Sequence, residues 1–253
     1  MGKPGVPSTA YTEAYGVALD PVGDIFVAGG TNTTALSSPL YLYNARGGTG
    51  AWVIKLSSAQ GNFIYGTALE TTATDETLTI DTARAIAVDS GGQAYVAGTA
   101  SGTIYISNNA YQKSVVGGTD AFLLRLNNQG SAIEYATYLG GSKNDQALGV
   151  AVDLNQTAYV TGTTLSPDFP TINSLENPNS SVQLSLSGGQ DAFITKFTSD
   201  GTALIFSSYL GGSGSDQANA IAVDPTNLGN MYVAGNSTSL DLETCLLYTS
   251  RCV

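Results

Sequence analysis

Pairs of short apolar segments, each alternating at period two and separated by a polar turn, recur four times along the chain. The clearest copy is AIAVDSGGQAYVAG at 85–98. The others are GVALDPVGDIFVAG at 16–29, GVAVDLNQTAYVTG at 149–162 and AIAVDPTNLGNMYVAG at 220–235. Because successive strand side chains point to opposite faces, each copy predicts a β-hairpin. The recurrence predicts a repeat protein.

Two further phrases complete each repeat. The third is GGTGAWVIKL at 47–56, GGTDAFLLRL at 117–126 and GGQDAFITKF at 188–197, and the fourth follows a turn at Gly61, Gly130 or Gly201. Four strands per unit, repeated in series, are typical of propeller blades. We therefore predict an all-β fold, a β-propeller fragment with about three complete four-stranded blades plus a half blade, forming an open arc. The predicted blades are 10–69, 75–141, 142–212 and the partial 213–244, after an N-terminal extension at 1–9.

The last nine residues match no repeat phrase. They read CLLYTSRCV, contain both cysteines of the chain, Cys245 and Cys252, and resemble the translation of sequencing-transposon ends. We expect 245–253 to be an artefact, so that the cysteine count carries no information about redox compartment. A natural disordered tail with a disulfide is the alternative.

Composition excludes several classes of function. The chain has a formal net charge of −11, 9 Lys and Arg, and no histidine. A nucleic-acid surface needs clustered basic residues, so we expect no nucleic-acid partner. Without histidine there is no Ser-His-Asp triad and no histidine-bearing zinc site. No apolar run reaches the ~18 residues of a membrane span, and no signal-peptide pattern is visible at the N-terminus.

Regularly placed carboxylates are the candidate chemistry. One set lies eight residues before the aspartates of the hairpin turn, and two further sets belong to the repeat; they are Asp81, Asp145 and Asp216, then Asp89, Asp153 and Asp224, then Asp120 and Asp191. The first set has oxygens suited to calcium. Repetition once per blade favours the other interpretation, in which all these aspartates accept backbone N–H groups in turns. Gly98, Gly162 and Gly235, which end the second phrases, are likewise interpreted as structural.

No catalytic or cofactor-binding residue is predicted. Asp168 and Glu176 are the acids considered for a polysaccharide-acting enzyme, but nothing marks them as a pair. The segment GGSGSD at 211–216 lacks the sequence context of a phosphate-binding loop, so we interpret it as a turn. The long segments at 30–46, 99–116 and 163–187 differ in length and composition, which is typical of binding loops on a rigid scaffold.

The ordered phrases resemble the bacterial and archaeal SBBP-type β-propeller repeat. They include YLGGS at 138–142, DFP at 168–170 and GGQDAFITK at 188–196. The first unit departs from this pattern, with Gly50 at the aspartate position of the third phrase. The resemblance implies a secreted or cell-surface protein without a common activity. We therefore expect a non-enzymatic structural or interaction module that binds a protein or glycan through its long loops, and a fragment that self-associates. Part of a propeller hydrolase or lyase is the alternative.

Overall fold

The computed structural model describes residues 11–31, 40–43, 50–69, 82–102, 104–172, 183–224 and 230–242. These residues form β-strands, turns and irregular segments. Within these ranges, no helix is long and apolar enough to cross a membrane. The predicted extension at 1–9, the predicted artefact at 245–253, Asp81 and Glu176 all lie outside the described residues.

The strands fall into three larger sheets and one hairpin. The first sheet contains β1 Thr12–Leu19, β2 Ile25–Thr31, β3 Leu40–Tyr43, β4 Gly50–Leu56 and β5 Phe63–Leu69. The second contains β6 Thr82–Val88, β7 Ala94–Ala100, β8 Asp120–Leu126 and β9 Ile133–Leu139. The third contains β10 Asp145–Val152, β11 Ala158–Thr164, β12 Asp191–Phe197 and β13 Leu204–Leu210, and the hairpin contains β14 Asp216–Val223 and β15 Met231–Ser237.

This arrangement confirms the predicted all-β, open propeller fragment. Consecutive strands of the four-strand units pair antiparallel, and no sheet closes on itself among the described residues. The first strands of neighbouring sheets, β1, β6, β10 and β14, lie next to one another. One strand was not predicted: β3 pairs parallel to β5, from Leu40 opposite Gly66 to Tyr43 opposite Leu69.

A bulge in each first strand explains the glycine that ends each second phrase. The β6–β7 register shifts between Ala83 and Ala85. A Cβ added to Gly98 would lie 1.8 Å from the Thr82 carbonyl oxygen and 2.9 Å from the Phe122 ring. Equivalent atoms would lie 1.8 Å from a backbone oxygen at Gly162 and 1.9 Å from one at Gly235. Only glycine leaves room for the bulged backbone.

The hydrophobic core lies between sheets. In β7, Ala94 and Val96 belong to the cluster shared with the first sheet, whereas Tyr95 and Ala97 belong to the cluster shared with the third. Alternate side chains of one strand thus fill two different junctions. Complete burial of one large apolar side chain contributes about 1.5–3 kcal/mol, so these junctions hold the arc together.

In the three larger sheets, the described parts of the segment between the second and third strands, here called the connector, lie along the outer edge of the fourth strand. In the second sheet, the backbone N–H of Ser107 donates to Ala136 at 3.1 Å, and that of Tyr138 donates to Gln112 at 3.1 Å. In the third sheet, Ile172 and Ser207 exchange backbone hydrogen bonds of 2.9 and 3.0 Å. The connectors therefore cover edges that would otherwise be open to pairing.

Candidate functional site

The aspartate that ends each first strand holds the following turn. Asp89 Oδ1 accepts hydrogen bonds from the backbone N–H groups of Gly91 at 2.9 Å and Gln93 at 3.0 Å. The same two bonds, to residues two and four positions later, form at Asp20 and Asp153. In the fourth unit, Asn230 donates its side-chain amide to Asp224 at 3.5 Å. In each unit whose turn is described, one carboxylate oxygen of this aspartate therefore accepts hydrogen bonds within the turn.

The second oxygen of Asp89 ties two sheets together. Asp89 Oδ2 accepts from the Tyr95 hydroxyl at 3.3 Å and from Gln156 Nε2, in the third sheet, at 3.2 Å. At Asp20 the same oxygen instead pairs with Lys55 Nζ at 3.0 Å. These contacts give the repeated aspartate a role in packing as well as in the turn.

A second group of acids lies at the junctions between sheets. Asp120, the first residue of β8, accepts from the backbone N–H groups of Val116 at 3.0 Å and Gly117 at 3.2 Å, and from Gln112 Nε2 at 2.7 Å. Gln112 Oε1 accepts in turn from the backbone N–H of Gly140 at 3.0 Å. Asp120 therefore connects its own connector to the loop that enters the next sheet.

Asp145, the first residue of β10, completes this junction. Its Oδ2 accepts from the backbone N–H of Gly141 at 2.7 Å and from the Ser166 hydroxyl at 2.8 Å. Burial raises the pKa of Asp145 to about 6, and the negative charge of Asp120 acts in the same direction. Hydrogen bonds from Thr164, Gly141 and Ser166 act to lower the pKa of this carboxyl group. Burial also raises the pKa of Asp120.

The next junction repeats this arrangement. Asp191 accepts from Ser187 N at 2.9 Å, Gly188 N at 3.2 Å and Gln183 Nε2 at 2.8 Å. Asp216 Oδ2 accepts from Gly212 N at 2.8 Å and from Ser239 Oγ at 2.7 Å. Burial raises the pKa of Asp191. Burial would also raise the pKa of Asp216, but its hydrogen-bond donors, Ser237 among them, leave that pKa below the usual value.

Backbone N–H groups of the glycine-rich loops donate hydrogen bonds to side-chain oxygens of the protein itself. Ser142 donates both its backbone N–H and its hydroxyl to Asp168 Oδ1 at 2.8 Å, and Lys143 N donates to Ser166 Oγ at 2.9 Å. At 211–216, Ser213 donates its backbone N–H to Asp241 at 2.8 Å. The N–H groups that would cradle a phosphate in a phosphate-binding loop here bind the protein's own carboxylates.

This geometry limits what the acids can do chemically. Asp120, Asp145 and Asp191 are fully buried, and Asp216 is 2 % exposed. A general acid or base must reach its substrate, and burial prevents Asp120, Asp145 and Asp191 from doing so, whereas Asp216 lines a groove beside β15. In the described residues, no group of three or more His, Cys, Asp or Glu side chains is placed to hold a metal ion. Calcium binding at Asp145 and Asp216 stays a hypothesis, as does an enzymatic pairing of Asp168 with Glu176.

Several members of these junctions were missed by sequence reasoning. Tyr138 and Tyr209 hold the connectors with their hydroxyl groups, which accept from Ile104 N at 2.8 Å and Phe169 N at 3.0 Å. The two junctions also share residues that the repeat phrases do not mark, namely Gln112 and Gln183, Ser166 and Ser239, and Asp241, the counterpart of Asp168. The two glutamines could have been found from the sequence, because each precedes an aspartate of the third phrase by eight positions.

Comparison with known proteins agrees with the repeats seen in the sheets. A family model described as SBBP, beta-propeller repeat, matches residues 134–170 and 205–243. No curated protein matches the chain. Each matched segment starts in the fourth strand of one sheet and runs through the first two strands of the next, so each contains one junction loop. The resemblance predicted from the phrases is confirmed at residues 134–170 and 205–243, which match the SBBP β-propeller repeat.

Proposed function

We propose that this propeller module is a non-enzymatic interaction module of an extracellular or cell-surface protein. It binds a protein or glycan through its connectors. The extracellular location is supported by the family resemblance, and the binding role is supported by the surface of the second connector.

The binding role is supported by a set of exposed apolar side chains whose backbone is fixed by hydrogen bonds. Within the connector of the second sheet, Tyr105 is 48 % exposed, Tyr111 is 38 % exposed and Val116 is 58 % exposed. Tyrosine is enriched in recognition surfaces because its ring offers a large apolar area while its hydroxyl group offers a polar contact.

Hydrogen bonds to β9 hold this connector at several points. Besides the backbone bonds of Ser107 and Gln112, Tyr138 binds both sides of the connector: its hydroxyl accepts from Ile104 N at 2.8 Å and donates to the Gly102 carbonyl at 2.8 Å. A partner that binds here meets a surface that is already ordered, which lowers the entropic cost of binding.

Tyr111 extends this surface to the neighbouring sheet. Its ring packs edge-on against Phe197 of β12, with centroids 6.4 Å apart. Burial against this neighbour raises the pKa of the Tyr111 hydroxyl. The proposed binding surface therefore spans two sheets, and its shape depends on how they pack.

The connector of the third sheet offers a different surface on a similar support. Its residue Leu184 is 60 % exposed, and the adjacent Gln183 accepts a backbone hydrogen bond from Tyr209 at 3.1 Å. Similar anchors with different exposed residues suit a scaffold whose connectors vary for recognition.

The test compares binding by the whole chain and by two variants on a glycan array and a panel of purified extracellular proteins. Tyr105→Ser combined with Val116→Ser removes exposed apolar area from the connector. Leu154→Ser is the matched control, because Leu154 is 63 % exposed but lies in the turn after β10. We expect binding by the wild type and the control, and at least about a tenfold loss in the double variant, as for removal of two anchor side chains.

Two results would overturn the proposal. The first is equal binding by the double variant and the wild type, which would exclude this connector as the binding surface. The second is release of sugar products in a parallel hydrolase and lyase screen, which would favour the enzymatic alternative.

A further inference from the structure

The bulge in each first strand carries a different side chain at one repeated position. In β1, β6, β10 and β14 the pairing with the second strand skips a single residue. These four bulge residues are Tyr15, Arg84, Leu148 and Asn219. Alanine precedes each of them, and glycine or alanine follows each of them. The small neighbours recur from sheet to sheet whereas the bulge residue changes, which is typical of recognition positions on a constant scaffold.

The bulge residues reach solvent beside buried neighbours. Ala83, Ala147 and Ala218 are buried. The residues that follow them, Arg84, Leu148 and Asn219, are half-buried or exposed. A β-bulge interrupts the alternation of a strand and redirects the side chain of the extra residue. The bulges therefore turn one side chain per sheet out of the core.

Bulges of neighbouring sheets lie side by side. The first strands of successive sheets are adjacent. A Cβ added to Gly16, which follows the bulge of β1, would lie 3.2 Å from Ala85 Cα, which follows the bulge of β6. The same distance separates an added Cβ on Gly149 of β10 from Ala220 Cα of β14. The four bulge residues thus form a row across the sheets, here called the bulge row.

Arg84 is the basic member of the bulge row. Its Cζ lies 4.3 Å from the centroid of the Tyr15 ring, and the Tyr15 hydroxyl donates to Glu13. The ion pairs formed by the described residues involve Lys55 and Arg125 but not Arg84. Arg84 Nε is buried and has no hydrogen-bond acceptor in this part of the chain. A guanidinium group without an anionic partner is suited to bind a carboxylate through two parallel hydrogen bonds.

The neighbours of Arg84 in the bulge row suit the body of a sugar. Leu148, on the adjacent strand β10, offers apolar area, and the half-buried amide of Gln146 lies two positions before it. In β14, Asn219 donates its side-chain amide to Asn236 at 3.0 Å. Amide groups both donate to and accept from hydroxyl groups, so they complement a polyhydroxylated ring. One guanidinium group among amides and apolar surface matches a sugar that carries a single carboxylate.

We propose that the bulge row binds an acidic sugar of the hexuronate class, with its carboxylate held by the guanidinium group of Arg84. The sugar ring lies against Leu148, and its hydroxyl groups face the neighbouring amides. This site is separate from the connector surface. Its loss would leave binding at the connectors unaffected.

The test titrates the whole chain with sodium glucuronate by isothermal titration calorimetry. Glucose is the matched neutral ligand, because it differs in the carboxylate. We expect saturable binding of glucuronate in the millimolar range and no saturable binding of glucose. In nitrogen-15 spectra of the labelled protein, the Arg84 Nε–H resonance should shift as glucuronate is added.

Variants of the protein complete the test. Arg84→Gln should weaken glucuronate binding about tenfold or more, because the charge-assisted hydrogen bonds are lost. Arg84→Lys should give intermediate affinity, because it keeps the charge but loses the planar fork. Lys143→Gln is the matched control: it removes the same charge from an exposed residue whose backbone N–H, not its side chain, binds Ser166. Thermal unfolding shows which variants are folded, and Arg84→Lys provides the comparison if Arg84→Gln is not.

Three results would overturn the proposal. The first is equal binding of glucose and glucuronate, which would exclude a role for the carboxylate. The second is an equal loss of affinity in Arg84→Gln and Lys143→Gln, which would assign the effect to net charge. The third is tighter binding of an acetylated triglutamate peptide than of glucuronate, which would assign the bulge row to a polypeptide partner. None of these results bears on the connector variants, so the two proposals fail separately.

Discussion

Asp120 and Asp145 meet across the junction of the second and third sheets, on either side of Gly140. A Cβ added to Gly140 would lie 2.6 Å from Asp120 Cγ and 2.7 Å from Asp145 Oδ2. Both carboxyl groups are fully buried, and the ion pairs formed by the described residues involve neither of them. Two neighbouring buried carboxylates without a cation disfavour the doubly charged state. The junction is therefore well hydrogen-bonded but carries an electrostatic cost at neutral pH.

The variant Asp145→Asn should stabilise the protein at pH 8. The amide removes a buried charge and keeps an oxygen for the Gly141 and Ser166 donors. The folded-state pKa of Asp145 is about 6, above the ordinary 3.8. The stability that depends on protonated Asp145 is therefore fully present below about pH 4 and is lost as the pH rises through about 6. We expect a gain of about 1–3 kcal/mol at pH 8 and little at pH 4, measured by urea unfolding. An equal gain at both pH values would contradict this account.

Asp216→Asn is the matched comparison at the next junction and should behave differently. The donors around Asp216 outweigh its burial, and its pKa lies below the usual value. The stability that depends on its charge is present above its ordinary pKa and is lost as the pH falls through the depressed value. We expect no gain, and a small loss, at pH 8. If both asparagine variants stabilised the protein equally, the difference between the two junctions would be disproved.

Gly98→Ala should destabilise the protein strongly. The new methyl group would overlap the Thr82 carbonyl oxygen, so the bulge or β7 would have to shift. We expect a loss of about 2–3 kcal/mol, which corresponds to a fall in thermal midpoint of roughly 5–10 °C for a domain of this size. Gly189→Ala is the control, because nothing lies within 4 Å of its added Cβ. Comparable midpoints for the two variants would argue against the steric explanation.

Calcium should neither bind at Asp145 and Asp216 nor stabilise the protein. At both residues Oδ2 already accepts two hydrogen bonds, and a cation at that oxygen would have to displace the donors. Thermal unfolding with millimolar calcium and with a chelator should therefore give the same midpoint. A midpoint that rises with calcium and responds to Asp145→Asn would instead establish the calcium hypothesis.

Self-association should depend on the outer face of β1. Val17 and Leu19 lie on the same face of this strand and are 69 % and 61 % exposed. Exposed apolar side chains side by side on one strand favour association. We expect Val17→Lys with Leu19→Glu to lower the average mass measured by light scattering. The control Val22→Lys changes a residue that is 74 % exposed in the adjacent turn. An equal effect of both changes would show that loss of exposed apolar area anywhere near this end, and not this face of β1, controls association.

Most of the strand architecture could be predicted from the sequence, because its determinants are local. Period-two alternation and the aspartate and glycine positions around each turn specify the hairpins without reference to distant residues. The role of Asp89 in its turn follows similarly, because the backbone N–H groups that donate to its Oδ1 lie two and four residues away.

Contacts between distant residues could not be predicted in this way. The parallel pairing of β3 with β5 and the path of the connectors depend on which edges remain open after the four-strand sheet forms. Gln156 adopts a positive φ of 62° where the second unit has Gly92 at 78°. Its side chain compensates by reaching Asp89 in the neighbouring sheet, a contact that no local pattern encodes.

The offset between the matched repeat and the sheets has a consequence for how such chains lengthen. A repeat that begins in β9 or β13 supplies the end of one sheet, a complete junction loop and the start of the next. The segment 134–170 contains Gly140, Asp145 and Ser166 of the junction but neither Gln112 nor Asp120, so two successive repeats share each junction. A change in the number of repeats therefore preserves a junction only where the neighbouring repeats supply both of its halves.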